Sequence, residues 1–426
     1  MIRVFRAEKV RGELRTPGNK SVSHRALMIS AMSSHGISTI RGLSTGTDVR
    51  DTEKILGLLG ARISWNKDQC LVESAELRPA RTDLYCGNSG TTMRLLAGLL
   101  GGIGGSHRLV GDESLSRRPM DRIATPLGEM GIQLDGQGDS VTAPLTLSVP
   151  QKGLRAIDYE VPIPSAQVKS AVLFAGLAAT GTTSVYERLR TRSNTESMLR
   201  TAGIDVRSEN HGQGRLITLT PGNIEPVNWE VPGDPSQAAF WIVLGLIHPD
   251  ADICVKEVEG GEERNGYIQV LRRMGGDITR SGEEVCELRA ASSALVATDI
   301  YSSEIPSVDE VPILVVAASA AQGSTRFIDM GELRLKESNR FEESVRLARA
   351  LGATVTVAGD DFIVDGLGSA GAFESFTFDG LLDHRLVMAA AVAGAAGSGS
   401  MITSEGAVES SYPDFFSELE VVSCRN

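Results

Sequence analysis

Aromatic side chains are scarce in this sequence, at 5% of 426 residues, while glycine is abundant at 46. A core short of rings must be filled by small and aliphatic side chains, so tight turns and close backbone packing are expected. Cysteine is sparse as well. Cys70, Cys86, Cys254, Cys286 and Cys424 are scattered, odd in number and without a CxxC pair, which argues against a zinc site and fits a reduced compartment. No apolar run reaches membrane-spanning length, and Met1-Ile2-Arg3-Val4-Phe5-Arg6 has no signal-peptide core. A cytoplasmic protein with no membrane partner is therefore expected. Positive charge is in deficit: the net charge of −12 argues against nucleic acid or an anionic membrane as a general partner. The Gly-x-Ser-x-Gly elbow, HExxH and the dinucleotide fingerprint are all missing. Pro17-Gly18-Asn19-Lys20-Ser21 is not a P-loop either, because Asn19 separates Gly18 from Lys20. These absences point to direct transfer chemistry without cofactor or metal.

What is present is a repeat. A β-rich segment, a polar loop, a helix and a closing glycine recur five times, ending at Gly60, Gly131, Gly203, Gly275 and Gly352. A weaker sixth copy starts at Gly397-Ser398-Gly399-Ser400-Met401-Ile402 and is cut off by the C-terminus. Each glycine stands where a left-handed residue can close a helix. The period of roughly seventy residues exceeds that of solenoid units, so subdomains of a globular α/β protein are expected. The chain is too long for one ordinary core, and two domains are the default. Ser170–Ala179 and Val387–Ala396 are apolar all round, which predicts helices at the centre of each domain and sheets outside. Val231-Pro232-Gly233-Asp234-Pro235 is the best boundary, a turn cluster that opens a new helix.

Polar clusters sit at or near predicted helix starts. Lys20-Ser21-Val22-Ser23-His24-Arg25 combines caps with two cations, and the small residues of Gly87-Asn88-Ser89-Gly90-Thr91-Thr92-Met93-Arg94 permit close backbone approach. Arg117-Arg118-Pro119 offers bidentate pairing to phosphate or carboxylate. In Ser165-Ala166-Gln167-Val168-Lys169, a lysine opening a buried helix needs a partner or ligand, and a ligand is the favoured reading. Asp309-Glu310 precedes an apolar run, Lys336-Glu337 with Arg340 forms a cationic pair with a carboxylate if they share a helical face, and Asp383-His384-Arg385 opens the second buried helix. Taken singly, several of these are ordinary capped helices or solvated charges. Together, cations at several helix N-termini of an acidic protein imply a small substrate carrying more than one negative charge. The carboxylates among them would move protons.

In this order and spacing, Pro17–Arg25, Gly87–Thr91, Arg118–Met120, Ser165–Lys169, Lys336-Glu337 with Arg340, Asp383–Arg385 and Ser411-Tyr412-Pro413 resemble the EPSP synthase family of enolpyruvyl transferases, over about Gly12 to Phe416. The resemblance implies a two-domain, inside-out α/β (α+β) fold, each domain being three βαβαββ units with helices buried inside sheets. It places 1–19 and 233–426 in one discontinuous domain, 20–232 in the other, and the active site in the interdomain cleft. It further implies that the 5-hydroxyl of shikimate 3-phosphate attacks C2 of phosphoenolpyruvate, giving a tetrahedral ketal phosphate that eliminates phosphate. By resemblance Lys20, Gly90, Arg118, Gln167, Arg340 and Arg385 hold phosphoenolpyruvate. Lys20, Ser21, Arg25, Ser165, Ala166, Gln167, Arg192, Asp309 and Lys336 meet shikimate 3-phosphate. Asp309 takes the hydroxyl proton, while Glu337 and Lys20 protonate and deprotonate the methyl carbon. A monomer without cofactor is expected, with small anionic substrates as its partners.

The sequence departs from the family pattern at Asn19, at Ser193-Asn194, at Ser197 and at Asn339, where Asp or Ser, Asp-His, Arg and Asp are usual. Three readings stay open: an EPSP synthase, a relative acting on another hydroxyl acceptor, and a non-catalytic binder of the same fold. Gly90 leaves room beside the phosphoenolpyruvate site, so the family pattern predicts inhibition by glyphosate.

Overall fold

The computed structural model describes residues 1–150, 153–261, 264–305 and 307–424. The chain divides into two units, Lys20–Val231 and the discontinuous Met1–Asn19 with Pro232–Asn426. Each unit has its own hydrophobic core.

In Lys20–Val231 six helices follow one another: α1 (Lys20–Ala31), α2 (Thr47–Leu58), α3 (Gly90–Leu100), α4 (Asp121–Met130), α5 (Ala166–Gly176) and α6 (Asn194–Thr201). Odd and even members differ in composition and therefore in place. α3 and α5 are rich in Ala, Gly, Leu and Val, and α1, α3 and α5 are all buried along most of their length. α2 buries only Asp48, Val49, Thr52, Ile55 and Leu56, a stripe at helical spacing, and α4 and α6 are likewise one-sided. The glycine-rich composition is used where α3 meets α5: a Cβ on Gly98 would stand 2.1 Å from the Ala171 carbonyl oxygen.

Three four-stranded sheets carry these helices. In the sheet of strands 84–85, 105–110, 142–149 and 133–137, the first two strands are parallel and joined by α3; α4 then leads to an antiparallel hairpin. Strands 158–161, 183–187, 214–220 and 205–211 repeat this around α5 and α6. In the third sheet 69–73 lies antiparallel between 37–41 and 62–66, and the strand parallel to 37–41, 228–230, comes from the far end of the unit.

The other unit contains α7 (Pro235–Ile247), α8 (Gly266–Arg273), α9 (Val311–Ala320), α10 (Arg340–Ala350), α11 (His384–Ala396) and α12 (Phe415–Val422). Again α7, α9 and α11 are wholly buried and pack on one another. Strands 299–301 and 322–328 flank α9 in parallel, and α10 leads to the hairpin 354–358/361–367. Strand 9–15 lies parallel to 251–259 and also pairs with 423–424. The weaker sixth copy supplies strand 400–403, which lies parallel to 376–379 across α11, and strand 2–4 completes this sheet. The five closing glycines all take left-handed φ, from 87° at Gly203 to 106° at Gly131, as the repeat predicts.

Candidate active site

In Lys20–Val231 the three buried helices bring their N-termini, and with them most of the candidate residues, into the polar part of the unit. Ser89 caps α3, accepting from the Thr92 amide at 3.0 Å, and Ser165 caps α5, accepting from the Val168 amide at 3.4 Å. Ordinary capping is therefore real at both helices. It does not exhaust them, because two guanidinium groups stand over the start of α3. A Cβ on Gly90 would lie 2.8 Å from Arg94 Nη1 and 3.4 Å from Arg118 Nη1. Arg118 donates to Asn88 Oδ1 and, at 3.2 Å, to Ser114 Oγ. Arg94 donates to Gln167 Oε1 at 2.6 Å, and Gln167 Nε2 donates to Thr91 Oγ1 at 2.9 Å. Arg94 closes the sequence cluster that begins at Gly87, and the spacing of four from Gly90 puts both on one helical face.

At α1, Lys20 Nζ donates to Asp48 Oδ2 at 2.9 Å. Arg25 is buried and donates to Thr195 Oγ1 at 2.6 Å, Ser170 Oγ at 2.7 Å and the Ser21 carbonyl at 2.9 Å. Arg192 Nη1 reaches Ser21 Oγ at 3.3 Å. Ser21, Arg25 and Arg192 thus come together at the start of α1, while Ser165, Ala166 and Gln167 open α5. His24, one turn below Lys20, is buried, with Nδ1 2.8 Å from Thr52 Oγ1. Burial, reinforced by the charges of Lys20 and Arg25, holds its imidazole well below the usual range, so it is neutral. Lys169 differs from the reading that favoured a ligand. It is fully buried, 3.0 Å from Glu187 Oε2 and 2.7 Å from Glu196 Oε1, and these protein carboxylates are its partners.

The other unit gathers carboxylates around one arginine. Arg340, 1% exposed, opens α10. Its Nε donates to Asp383 Oδ2 at 2.7 Å and its Nη2 to Asp383 Oδ1 at 3.1 Å. Its Nη1 donates to Asp309 Oδ1 at 3.0 Å, and Nη2 lies 2.7 Å from Glu337 Oε2. Burial opposes this charge, but Asp383, Glu337 and Asp309 outweigh it and hold the guanidinium above its ordinary value. Arg385 Nη2 lies 3.9 Å from Asp309 Oδ2, while its buried Nε and Nη1 make no hydrogen bond among the described residues. The adjacent acids Asp309 and Glu310 part ways. Asp309 faces the arginines, whereas Glu310 is buried and accepts from Ser236 Oγ and, at 2.8 Å, from Ser307 Oγ. Before Asp309, Val308 takes φ +50°, a conformation that β-branched residues rarely adopt.

Lys336 and Arg340 do not share a helical face. Residues 331–335 form a 3₁₀ turn, the α-helix begins at Arg340, and Lys336 Nζ reaches back to Glu332 Oε1 at 2.8 Å. Of the neighbouring Lys336 and Glu337, it is Glu337 whose ion pair with Arg340 is seen. Asn339 caps α10, accepting from the Glu342 amide at 3.3 Å, so a neutral amide does the capping that an aspartate would do there. Asn19 donates to Glu259. Among the described residues no three His, Cys, Asp or Glu side chains converge to hold a metal, and no helix is long and apolar enough to cross a membrane.

A family model for EPSP synthase (3-phosphoshikimate 1-carboxyvinyltransferase) matches residues 5–419. A 3-phosphoshikimate 1-carboxyvinyltransferase of Streptococcus pyogenes is 38% identical over 97% of each chain. Among solved structures, an EPSP synthase from Acinetobacter baumannii superposes with a TM-score of 0.84 at 33% identity, covering 99% of this chain and 97% of that one. An enolpyruvyl transferase from Streptomyces tendae, with a TM-score of 0.78 at 18% identity over 99% of this chain and 97% of its own, shares the fold.

Proposed function

Because this chain belongs to the EPSP synthase family, we propose that it transfers the enolpyruvyl group of phosphoenolpyruvate to the 5-hydroxyl of shikimate 3-phosphate, with release of phosphate. The observation that carries the residue roles is the cluster of Asp309, Glu337 and Asp383 on Arg340, with Arg385 alongside. It supplies what addition–elimination needs: carboxylates to take and return protons, held by cations that also suit a carboxylate or phosphate ligand.

In this reading Asp309 takes the 5-hydroxyl proton as the oxygen bonds to C2 of phosphoenolpyruvate. Glu337 or Lys20 delivers a proton to C3, giving the tetrahedral ketal phosphate. The bond from C2 to the phosphate oxygen then breaks, and the methyl group returns its proton, leaving the enol ether. Lys20, Arg118, Arg340, Arg385 and Gln167 hold phosphoenolpyruvate beside Gly90. Ser21, Arg25, Ser165, Ala166, Gln167, Arg192 and Lys336, with Lys20 and Asp309, hold shikimate 3-phosphate. Both sets serve one pair of substrates. The protein works as a cytoplasmic monomer without cofactor, and buried, unpaired Cys70, Cys86, Cys254 and Cys286 are compatible with a reducing compartment.

Phosphate release measured with both substrates, and with each omitted in turn, tests the reading. Release that requires both is expected. Binding of phosphoenolpyruvate without release would transfer the assignment to another hydroxyl acceptor, and binding of neither would remove the function.

A further inference from the structure

Lys169 lies in the first turn and a half of α5, just after Ser165, Ala166 and Gln167. Its ammonium is shared: Glu187 Oε1 and Oε2 lie at 3.2 and 3.0 Å, and Glu196 Oε1 at 2.7 Å. Glu187 ends strand 183–187, and Glu196 stands in the first turn of α6. Glu187 also reaches forward, where Oε2 accepts from Thr191 Oγ1 at 2.7 Å and Oε1 from the Thr191 amide at 3.3 Å. Thr191 is the residue before Arg192. Next to Glu196, Thr195 Oγ1 accepts from Arg25 and shares a 2.6 Å hydrogen bond with Ser170 Oγ. The segment 188–193 is therefore tied down at both ends by one buried cation, while Arg188, Leu189 and Arg190 between the ties are exposed.

A buried ion cluster is a poor source of stability, since well-packed apolar side chains of the same volume do as well or better. What it does supply is one fixed arrangement of the groups around it. Here those groups are the loop that presents Arg192 and the α5 turn that presents Ser165 and Gln167. We propose that Lys169, acting through Glu187 and Thr191, is a positioning residue that sets Arg192 for the phosphate of shikimate 3-phosphate. This rests on the function proposed above. It assigns the lysine to the geometry of one substrate, with no contact to the reacting atoms.

The test measures KM for each substrate, kcat and the thermal midpoint in wild type, Thr191→Val, Lys169→Met, Lys169→Arg and the triple variant Lys169→Met/Glu187→Leu/Glu196→Leu. Thr191→Val keeps the buried cluster and removes only the hydroxyl tie. It is expected to raise KM for shikimate 3-phosphate by about tenfold, the worth of one hydrogen bond to a charged group. KM for phosphoenolpyruvate should be unchanged, and the thermal midpoint should fall less than in Lys169→Met. Lys169→Met should show the same KM split with a lower midpoint, and Lys169→Arg should recover part of the KM. The triple variant is expected to regain the midpoint with KM for shikimate 3-phosphate still raised, a result a merely structural lysine would not give. An active wild type with unaltered KM in both Thr191→Val and the triple variant overturns this inference alone. A wild type that releases no phosphate overturns it together with the proposed function.

Discussion

The two units build their cationic clusters differently. In Lys20–Val231, Arg25, Arg94 and Arg118 are steadied mainly by hydroxyls, amides and backbone carbonyls. Neutral partners orient a guanidinium without cancelling its charge, so it keeps its attraction for an anion. In the other unit Arg340 is held by three carboxylates, and its charge is more than balanced. The first arrangement suits capture of phosphate and carboxylate groups; the second suits poising acids and bases.

Removing the shared cation should break this contrast most severely. Arg340→Met removes the one guanidinium that Asp309, Glu337 and Asp383 share and leaves their like charges crowded together. It is expected to cost about 3–5 kcal/mol of stability, and to lower phosphate release on the order of a thousandfold, read by calorimetry and steady-state assay. Arg118→Met, which loses hydrogen bonds to Asn88 and Ser114, should instead raise KM for phosphoenolpyruvate roughly ten- to a hundredfold with the thermal midpoint nearly unchanged. Equal destabilisation by the two variants would erase the distinction.

The neighbouring acids sharpen it within one unit. Asp309→Asn should lower kcat by roughly a hundredfold or more while the protein stays folded. Glu310→Gln, which disturbs two buried serine hydroxyls, should cost about 1–3 kcal/mol with little change in kcat. Measuring both in one assay separates the roles; the reverse pattern would exchange them.

Acid should find the units unequal. His24 is pushed down by burial and by Lys20 and Arg25, and His107 is pushed down by burial against an opposing hydrogen bond to the Gly104 carbonyl. Both lie in Lys20–Val231. Their folded-state pKa values are depressed, so the unfolded chain takes up protons first as pH falls. Stability is then fully present above about pH 6.5 and declines below it, by about 1.4 kcal/mol per pH unit for each histidine until the folded group titrates. Hydrogen exchange at pH 7.5 and 5.5 should show this unit opening first, and His24→Asn should reduce the difference. The smallest effect is local. Gly90→Ala places a methyl 2.8 Å from Arg94 Nη1, and the flexible guanidinium gives way. A severalfold rise in KM for phosphoenolpyruvate at unchanged stability is expected, with glyphosate competing with phosphoenolpyruvate in the wild type.

Much of this could be read from local pattern. The closing glycines announced the repeat, wholly apolar helices announced an inverted layering, and caps with adjacent cations marked helix starts. Local pattern fails where partners are distant in sequence. Nothing near Lys169 names Glu187 or Glu196, and nothing near strand 37–41 says that 228–230 will lie beside it. Alternation of charge across 332–340 could not reveal that the α-helix begins only at Arg340, because a 3₁₀ turn serves the same pattern. Asp309 and Glu310 are chemically alike and adjacent, and the serines that claim Glu310 are what tell them apart.

The sheet completed by strand 2–4 has a consequence for the newborn chain. Lys20–Val231 is continuous and is complete once its last residue leaves the ribosome. The other unit needs both ends: 2–4 pairs with 400–403, and 9–15 with 423–424. At about 5–20 residues per second, its first strands wait roughly twenty seconds or longer for those partners. Lys9-Val10-Arg11-Gly12-Glu13-Leu14-Arg15 meets that wait with charge along its length, a composition that discourages pairing with a neighbouring nascent chain.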